Sequence, residues 1–372
     1  MNRGMFRYRS KDLANRIAEK LKAMDLNLRL MHVCGTHQDT VVRYGLDEML
    51  KEVGVELHPG PGCPVCVTTA HEIDIAVSLA QRGVVVTTFG DMFRVPGSNL
   101  SLADAKAKGC DVRVVYSISD AVSIAEKLNK EVVFFAIGFE TTAPATAATI
   151  LSGVPENFSV LSAHRLIPPA MEFLLKMGEI RIDGFINPGH VSTIIGEKAY
   201  EFISERYKIP QVIAGFEPLD VLFAVYMIAN MVKRGEARVE NEYRRVVRPY
   251  GNERAKRLIE EVFEPRDCVW RGFPVVRGSC LKLKEEFCEY DAERRFEDEL
   301  KEVEAREARA RGGEEANGMK GCICGEILRG ISTPHDCELF GKVCTPSRPV
   351  GPCMVSREGS CNIEFRYRRG RL

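Results

Sequence analysis

The sequence has no excess of charge of either sign: 52 lysines and arginines stand against 52 aspartates and glutamates. That balance removes the electrostatic signature of a nucleic-acid binder or of a protein held on an anionic membrane. There is no apolar run long enough to cross a bilayer. The longest, VLFAVYMIANMV at 221–232, falls short of the roughly 20 residues a membrane helix needs. The opening MNRGMFRYRSKDLANRIAEK is charged and amphipathic and does not read as a secretion signal, so the expectation is a cytoplasmic protein. No Gly-x4-Gly-Lys-Ser/Thr occurs, which argues against nucleotide hydrolysis on a phosphate-cradling loop. Internal repeats and low-complexity tracts are lacking too.

Cysteine, by contrast, is plentiful. Six of the 13 cysteines fall in the last 51 residues: Cys322, Cys324, Cys337, Cys344, Cys353 and Cys361. In a reducing compartment, clustered cysteines mean metal or redox chemistry more often than structural disulfides. The spacing C-x-C-x12-C-x6-C-x8-C-x7-C supplies four thiolates for an iron–sulfur cluster and leaves two over. A four-cysteine zinc site stays open. The spare pair favours iron–sulfur, because a cluster beside a dithiol moves electrons one at a time. Cys110, Cys268, Cys280 and Cys288 show no ligand spacing and read as structural.

Two further thiol sites lie upstream. Cys63 and Cys66 form a Cys-x-x-Cys inside HPGPGCPVC, and Thr69 to Glu72 fits a capping box that opens a helix. A helix amino terminus favours thiolate, so this pair reads as a redox or metal-handling dithiol. A complete zinc site would need a second Cys-x-x-Cys, and none exists. Cys34 and His37, in CGTH after the run RLMHV, place a thiol and an imidazole at a strand's carboxyl end. That suits a nucleophile or a soft metal ligand, although alone the pair is a weak signal. His164 and His190 also follow strand-like runs, where a satisfied buried histidine is the commoner outcome.

Between these sites, apolar runs alternate with helical stretches. Residues 10–24 show helical periodicity behind Ser10, and strand-like runs follow at 29–33, 84–89, 112–117, 131–137, 158–163, 183–188 and 211–215. The alternation predicts an α/β protein with two small doubly wound parallel-sheet domains facing a cleft. A helical or irregular iron–sulfur domain follows at the carboxyl terminus. The expected boundaries are 28–145, 146–235 and 236–372, with segment 1–27 packing on the last and the α/β domains open to being discontinuous. Three runs end in Gly90-Asp91, Gly138-Phe-Glu140 and Gly215-Phe-Glu217, followed by Pro96, Pro144 and Pro218. Carboxyl ends of parallel strands form ligand crevices, so these loops and NPGH (187–190) are expected to converge. Which of Glu140, Glu217, His164 and His190 touch a ligand is left open. Residues 282–315, dense in both charge signs, predict a solvated helix with i,i+4 pairs, ended by GGEEANG.

Taken together the motifs resemble the HypD family of hydrogenase maturation proteins. The resemblance rests on MHVCGTH (31–37), HPGPGCPVC (58–66), IGFETTAP (137–144), SAHRLIPPA (162–170), NPGHVSTIIG (187–196), IAGFEP (213–218) and CTPSRPVGPCMVSREGSC (344–361). One departure is Asp39, where the family often has a second histidine. The resemblance implies a scaffold for the Fe(CN)2CO unit of nickel–iron (NiFe) hydrogenases, working with HypC and receiving cyanide from HypE, and a monomer alone. It implies that Cys34 binds the iron jointly with a HypC cysteine, that His37 lines the site, and that Cys63 and Cys66 are a redox dithiol beside it. It further implies a 4Fe-4S cluster in the tail, similar to that of ferredoxin:thioredoxin reductase. Cys322, Cys337, Cys344 and Cys361 would be its ligands and Cys324 and Cys353 the exchangeable pair. The competing readings are an iron–sulfur protein-disulfide reductase, which leaves CGTH unexplained, and a zinc-stabilised interaction module.

Overall fold

The computed structural model describes residues 10–298, 300–303 and 321–368. Strands β1 (Leu28–His32), β2 (Val55–Pro59), β3 (Val85–Phe89), β4 (Val112–Val115), β5 (Val132–Gly138), β6 (Phe158–His164), β7 (Gly184–Pro188), β8 (Gln211–Ala214) and β9 (Val239–Asn241) divide between two parallel sheets. The first sheet has the order β2-β1-β7-β8-β9 and the second β4-β3-β5-β6. Every residue of β5 and β6 is buried. Helices cover both faces of such sheets, which is why their strands read as unbroken apolar runs. The protein is thus α/β with two parallel-sheet units, as its sequence predicts.

The sheets do not divide the chain at residue 145. The chain starts the first sheet with β1 and β2, leaves to build all of the second, and returns for β7 to β9. The physical reason is that β1 is paired on both edges, with β2 on one side and with β7 on the other, where Leu30 meets Gly184 and His32 meets Ile186. β2, too short and too rich in Pro and Gly at its end to stand out in the sequence, carries HPGPGC to the same edge as Cys34.

The amino-terminal helix Lys11–Lys22 is capped by Ser10, whose hydroxyl accepts the Leu13 N–H at 3.3 Å. Its buried stripe, Ile17 and Leu21, packs on helix Pro218–Arg234 within the first sheet's core, not on the carboxyl-terminal region. The apolar run at 221–232 therefore covers a sheet and receives this helix. Among the described residues, no helix is long and apolar enough to cross a membrane.

The carboxyl-terminal region adds an antiparallel hairpin of β10 (Phe263–Val269) and β11 (Val275–Leu283), joined across its strands by the Cys268–Cys280 disulfide. β11 lies along β6, where Ser162 Oγ donates to Leu281 O at 2.6 Å. The charged stretch is not one helix from 282. Lys282 and Leu283 still pair with β10, a 3-10 turn spans Glu285–Tyr290, and a short helix Ala292–Arg295 follows behind an Asp291 cap. The expected i,i+4 pairing appears at Glu297–Lys301. Residues 304–315 of that stretch, and GGEEANG, lie outside the described residues.

The tail folds back as short helices at Cys324–Leu328, Pro352–Val355 and Ser360–Arg368. The last packs on helix Gly35–Tyr44, with Arg366 on Asp39 at 2.9 Å, and its Arg368 reaches Asp47 of the following helix Leu46–Lys51 at 2.5 Å. Helix Pro352–Val355 packs on helix Pro64–Val67. The tail is therefore the lid that brings the two cysteine regions together.

Candidate functional site

Cys34 is the cap residue of helix Gly35–Tyr44, at the carboxyl end of β1. The β2 loop comes so close that a Cβ on Gly62 would lie 2.2 Å from the Cys34 nitrogen. The tail closes the other side, where a Cβ on Gly35 would lie 2.4 Å from the Glu358 Cβ. Two glycines thus let three chain segments meet around one thiol.

The resulting cavity is lined by Cys34, Cys63 and Cys66, with His32 and Gln38 behind them and Glu358 from the tail. Its volume is about 10 Å³, roughly the room one water needs. Cys63 and Cys66 form a disulfide, and Cys63 Sγ accepts the Cys66 N–H at 3.1 Å. Cys63 caps the short helix Pro64–Val67, and Thr69 then opens helix Ala70–Gln81 with the expected capping box to Glu72.

Burial sets the charge states here. It pushes the Cys34 thiol up to about 11, with the Glu358 carboxylate adding to the effect and the His37 and Thr36 backbone N–H groups opposing it. Cys34 is therefore protonated at neutral pH. Burial likewise raises Glu358, with Asp91 reinforcing it. Asp91 comes from the β3 end of the second sheet and accepts from Ser356 Oγ at 3.5 Å. Burial holds His37 neutral, down to about 4, and His32, aided by His37, down to about 3. His32 is bonded to Gln38 Oε1 at 2.7 Å.

His37 sits on the far side of its helix turn, where Nε2 donates to Gly215 O at 2.9 Å. It therefore contacts the IAGFE loop and does not line the cavity. Glu217 caps helix Pro218–Arg234. Glu140 accepts the Ile167 N–H at 2.9 Å, while its second oxygen is buried without a partner among the described residues, and burial raises it to about 7. His164 is a buried histidine bonded to Thr146 Oγ1 at 2.9 Å. His190 is exposed and stacks on Phe216 at 4.0 Å. Asp39 faces the tail helix.

In the tail, Cys324 is the hub. Its thiol is in hydrogen-bonding contact with Cys322, Cys353 and Cys361, and Cys344 feels the charges of Cys322 and Cys324. Those contacts hold Cys353 below the usual thiol range and raise Cys361. Cys344 Sγ accepts the Val350 N–H at 3.3 Å. Cys337 is buried. Among the described residues no ready-made metal-holding group of three is formed. The donor chemistry nonetheless fits a cluster: six thiols, five of them buried, with a backbone N–H directed at sulfur.

Arg271 joins the two regions. Its N–H donates to Val67 O at 2.8 Å and its Nε to Thr68 O at 2.7 Å, at the end of the Cys63–Cys66 helix. Its charge acts on Cys324, Cys353 and Cys322. Neither Arg271 nor Glu358 is recoverable as a site residue from spacing, because each meets thiols remote in sequence. The only trace of Glu358 is its place in the SREGSC segment.

Fold and site together define a parallel α/β protein with a buried centre of cysteines drawn from separate parts of the chain. The model of the HypD family, described as "Hydrogenase formation hypA family", matches residues 9–368. The chain belongs to this family of hydrogenase maturation factors. It is 51% identical over 363 residues to a putative hydrogenase expression/formation protein of Methanocaldococcus jannaschii, covering 96% of each chain. It is 46% identical over 380 residues to hydrogenase maturation factor HypD2 of Bradyrhizobium diazoefficiens, covering 98% of this chain and 96% of that one. Against HypD of Cupriavidus necator the identity is 44% over 378 residues, covering 97% and 96%.

Proposed function

We propose that this maturation factor is the scaffold on which the Fe(CN)2CO unit is assembled, with Cys34 holding the iron jointly with a cysteine of HypC and HypE donating cyanide. The observation that carries the reading is one buried cavity lined by Cys34 and the Cys63–Cys66 disulfide under the tail. Iron bearing strong-field ligands is matched by soft thiolate. Binding requires Cys34 to lose its proton, and Glu358, beside it, is placed to take that proton. His37 supports the site from the IAGFE side. The closed cavity has room for about one water, so the iron unit would be seated with the tail displaced from Cys34.

Cys322, Cys337, Cys344 and Cys361 would hold a 4Fe-4S cluster, which when bound supplies electrons one at a time. Cys324 and Cys353, whose thiols touch, are the exchangeable pair. As dithiol they reduce the Cys63–Cys66 disulfide, becoming a disulfide as Cys63 and Cys66 each gain a hydrogen. The packing of helix Pro352–Val355 on helix Pro64–Val67 supports this path. Cys324→Ala or Cys353→Ala is expected to block re-reduction of Cys63–Cys66 and leave the cluster bound; normal re-reduction sinks the relay.

The deciding experiment is anaerobic purification of wild type and Cys34→Ala, with iron, sulfide and zinc analysis. About four irons and four sulfides per chain, with further iron lost in Cys34→Ala, is the expected result. Zinc without sulfide overturns the redox part. Equal iron in both proteins overturns the role of Cys34.

A further inference from the structure

The turn between β10 and β11 is a third element at the meeting of the two thiol regions. Trp270 anchors it. The indole is fully buried, stacks on Phe139 at 5.9 Å between ring centres, and donates from Nε1 to Ser279 Oγ at 2.9 Å. The Cys268–Cys280 disulfide closes the hairpin behind it. The next residue, Arg271, reaches back to the cavity pair. Its N–H donates to Val67 O at 2.8 Å, its Nε to Thr68 O at 2.7 Å and its Nη2 to Pro96 O at 3.4 Å. Val67 and Thr68 follow Cys66 directly, so the arginine satisfies carbonyls at the end of the Cys63–Cys66 helix.

Gly272 faces the tail. Its φ is +80°, and a Cβ there would stand 2.3 Å from the Cα of Gly325, the residue after Cys324. Arg329, at the end of that tail helix, donates to Gly272 O. Cys353 arrives on helix Pro352–Val355, which packs on helix Pro64–Val67. Two successive residues of one turn therefore touch both thiol regions, Arg271 the cavity pair and Gly272 the tail. Burial works against the charge of the guanidinium, and the sulfurs of Cys324 and Cys353, as thiolates, favour it.

We propose that Arg271 is a positioning group for thiol–disulfide exchange between tail and cavity: it holds the end of the Cys63–Cys66 helix against Cys324 and Cys353, and its guanidinium stabilises the negative charge that passes from one sulfur to the next. A thiolate of the tail pair attacks one sulfur of the Cys63–Cys66 disulfide, giving a mixed disulfide and a thiolate on the other sulfur. The second tail thiol, once deprotonated, attacks the mixed disulfide, closes Cys324–Cys353 and releases the second cavity sulfur. Two electrons and two protons thus pass from the tail pair to Cys63 and Cys66. Each stage places charge on sulfur in a buried site, where a fixed cation acts most strongly. The inference rests on the relay reading for its reaction, and on the turn geometry for its device.

The test uses full-length protein, purified anaerobically, with dithionite as the electron source and alkylation read peptide by peptide by mass spectrometry. In Arg271→Met, Cys63 and Cys66 should become alkylatable at least tenfold more slowly than in wild type. Arg271→Lys, which keeps the charge and loses the planar fork, should stay within about threefold of wild type. If Arg271→Met does not fold, Arg271→Gln removes the charge and keeps an N–H donor. A charge-free variant at the wild-type rate overturns the inference. So does Arg271→Lys as slow as Arg271→Met, which makes Arg271 a structural cap. Equilibration in graded dithiothreitol buffers measures the Cys324–Cys353 pair by itself. Loss of the charge should disfavour its reduced form about tenfold, and an unchanged equilibrium also overturns the inference. Re-reduction that is indifferent to Cys324→Ala refutes the relay instead, while the dithiothreitol equilibrium still judges the arginine's charge.

Discussion

Gly62 and Gly35 carry no chemistry, yet the Cys34 site exists because neither has a side chain. Alanine at either position drives a Cβ into backbone or the Glu358 stem. We expect each alanine variant to lose about 2–4 kcal/mol, measurable by urea unfolding, and Gly62→Ala to lose iron at Cys34 as well. Glu140 gives the pH prediction. Its folded value near 7 stands above the unfolded carboxyl value of 4.5. The native state therefore holds a proton the unfolded chain releases, and this contribution is lost as pH rises from 4.5 through 7. Glu140→Gln removes the dependence. The variant should gain on wild type by up to about 1.4 kcal/mol per pH unit across that window and level off above it. Equal urea midpoint shifts at pH 5 and pH 8 would contradict this.

Elements were legible where local rules act. Ser10, and Thr69 with Glu72, announce their helices through side-chain caps, and the structure has both. Seven strands stand out as apolar runs because both faces of these sheets are covered. β2, β9 and the β10–β11 hairpin do not, since β2 ends in a turn sequence, β9 has only three residues and β10 is largely polar. The Cys268–Cys280 bridge was illegible for the same reason: without the hairpin, nothing pairs those two cysteines. Cys268→Ser should cost about 3 kcal/mol. Reductant should lower the melting temperature of wild type and spare the variant from that part of the loss. In the amino-terminal helix, Leu21→Ala should cost about 2–5 kcal/mol by opening a cavity against helix Pro218–Arg234.

At the scale of the molecule, the candidate cysteines and the α/β class were readable, and their convergence was not. Which strands share a parallel sheet depends on long crossovers that leave no local trace, so β1 beside β7 and the tail over Cys34 are products of tertiary packing. Asp39 illustrates this: read as a departure from a ligand pattern, it is the anchor for Arg366 and Tyr367. Removing residues 360–368 takes away these anchors and the Arg368–Asp47 pair. Cys34 in the truncated chain should be alkylated at least tenfold faster, by mass spectrometry, than in the full chain.

The outward crossing from the first sheet to the second runs from β2 through Cys63, Pro64–Val67 and helix Ala70–Gln81 to β3. The Cys63–Cys66 disulfide therefore sits on the crossing between the two sheets. It fixes the Cα atoms of Cys63 and Cys66 at 5.2 Å. The backbone bonds from the Cys66 and Val67 N–H groups to Cys63 O, at 3.1 and 3.3 Å, span the same turn, so opening the disulfide would free two sulfurs at the cavity while the crossing between the sheets keeps its length.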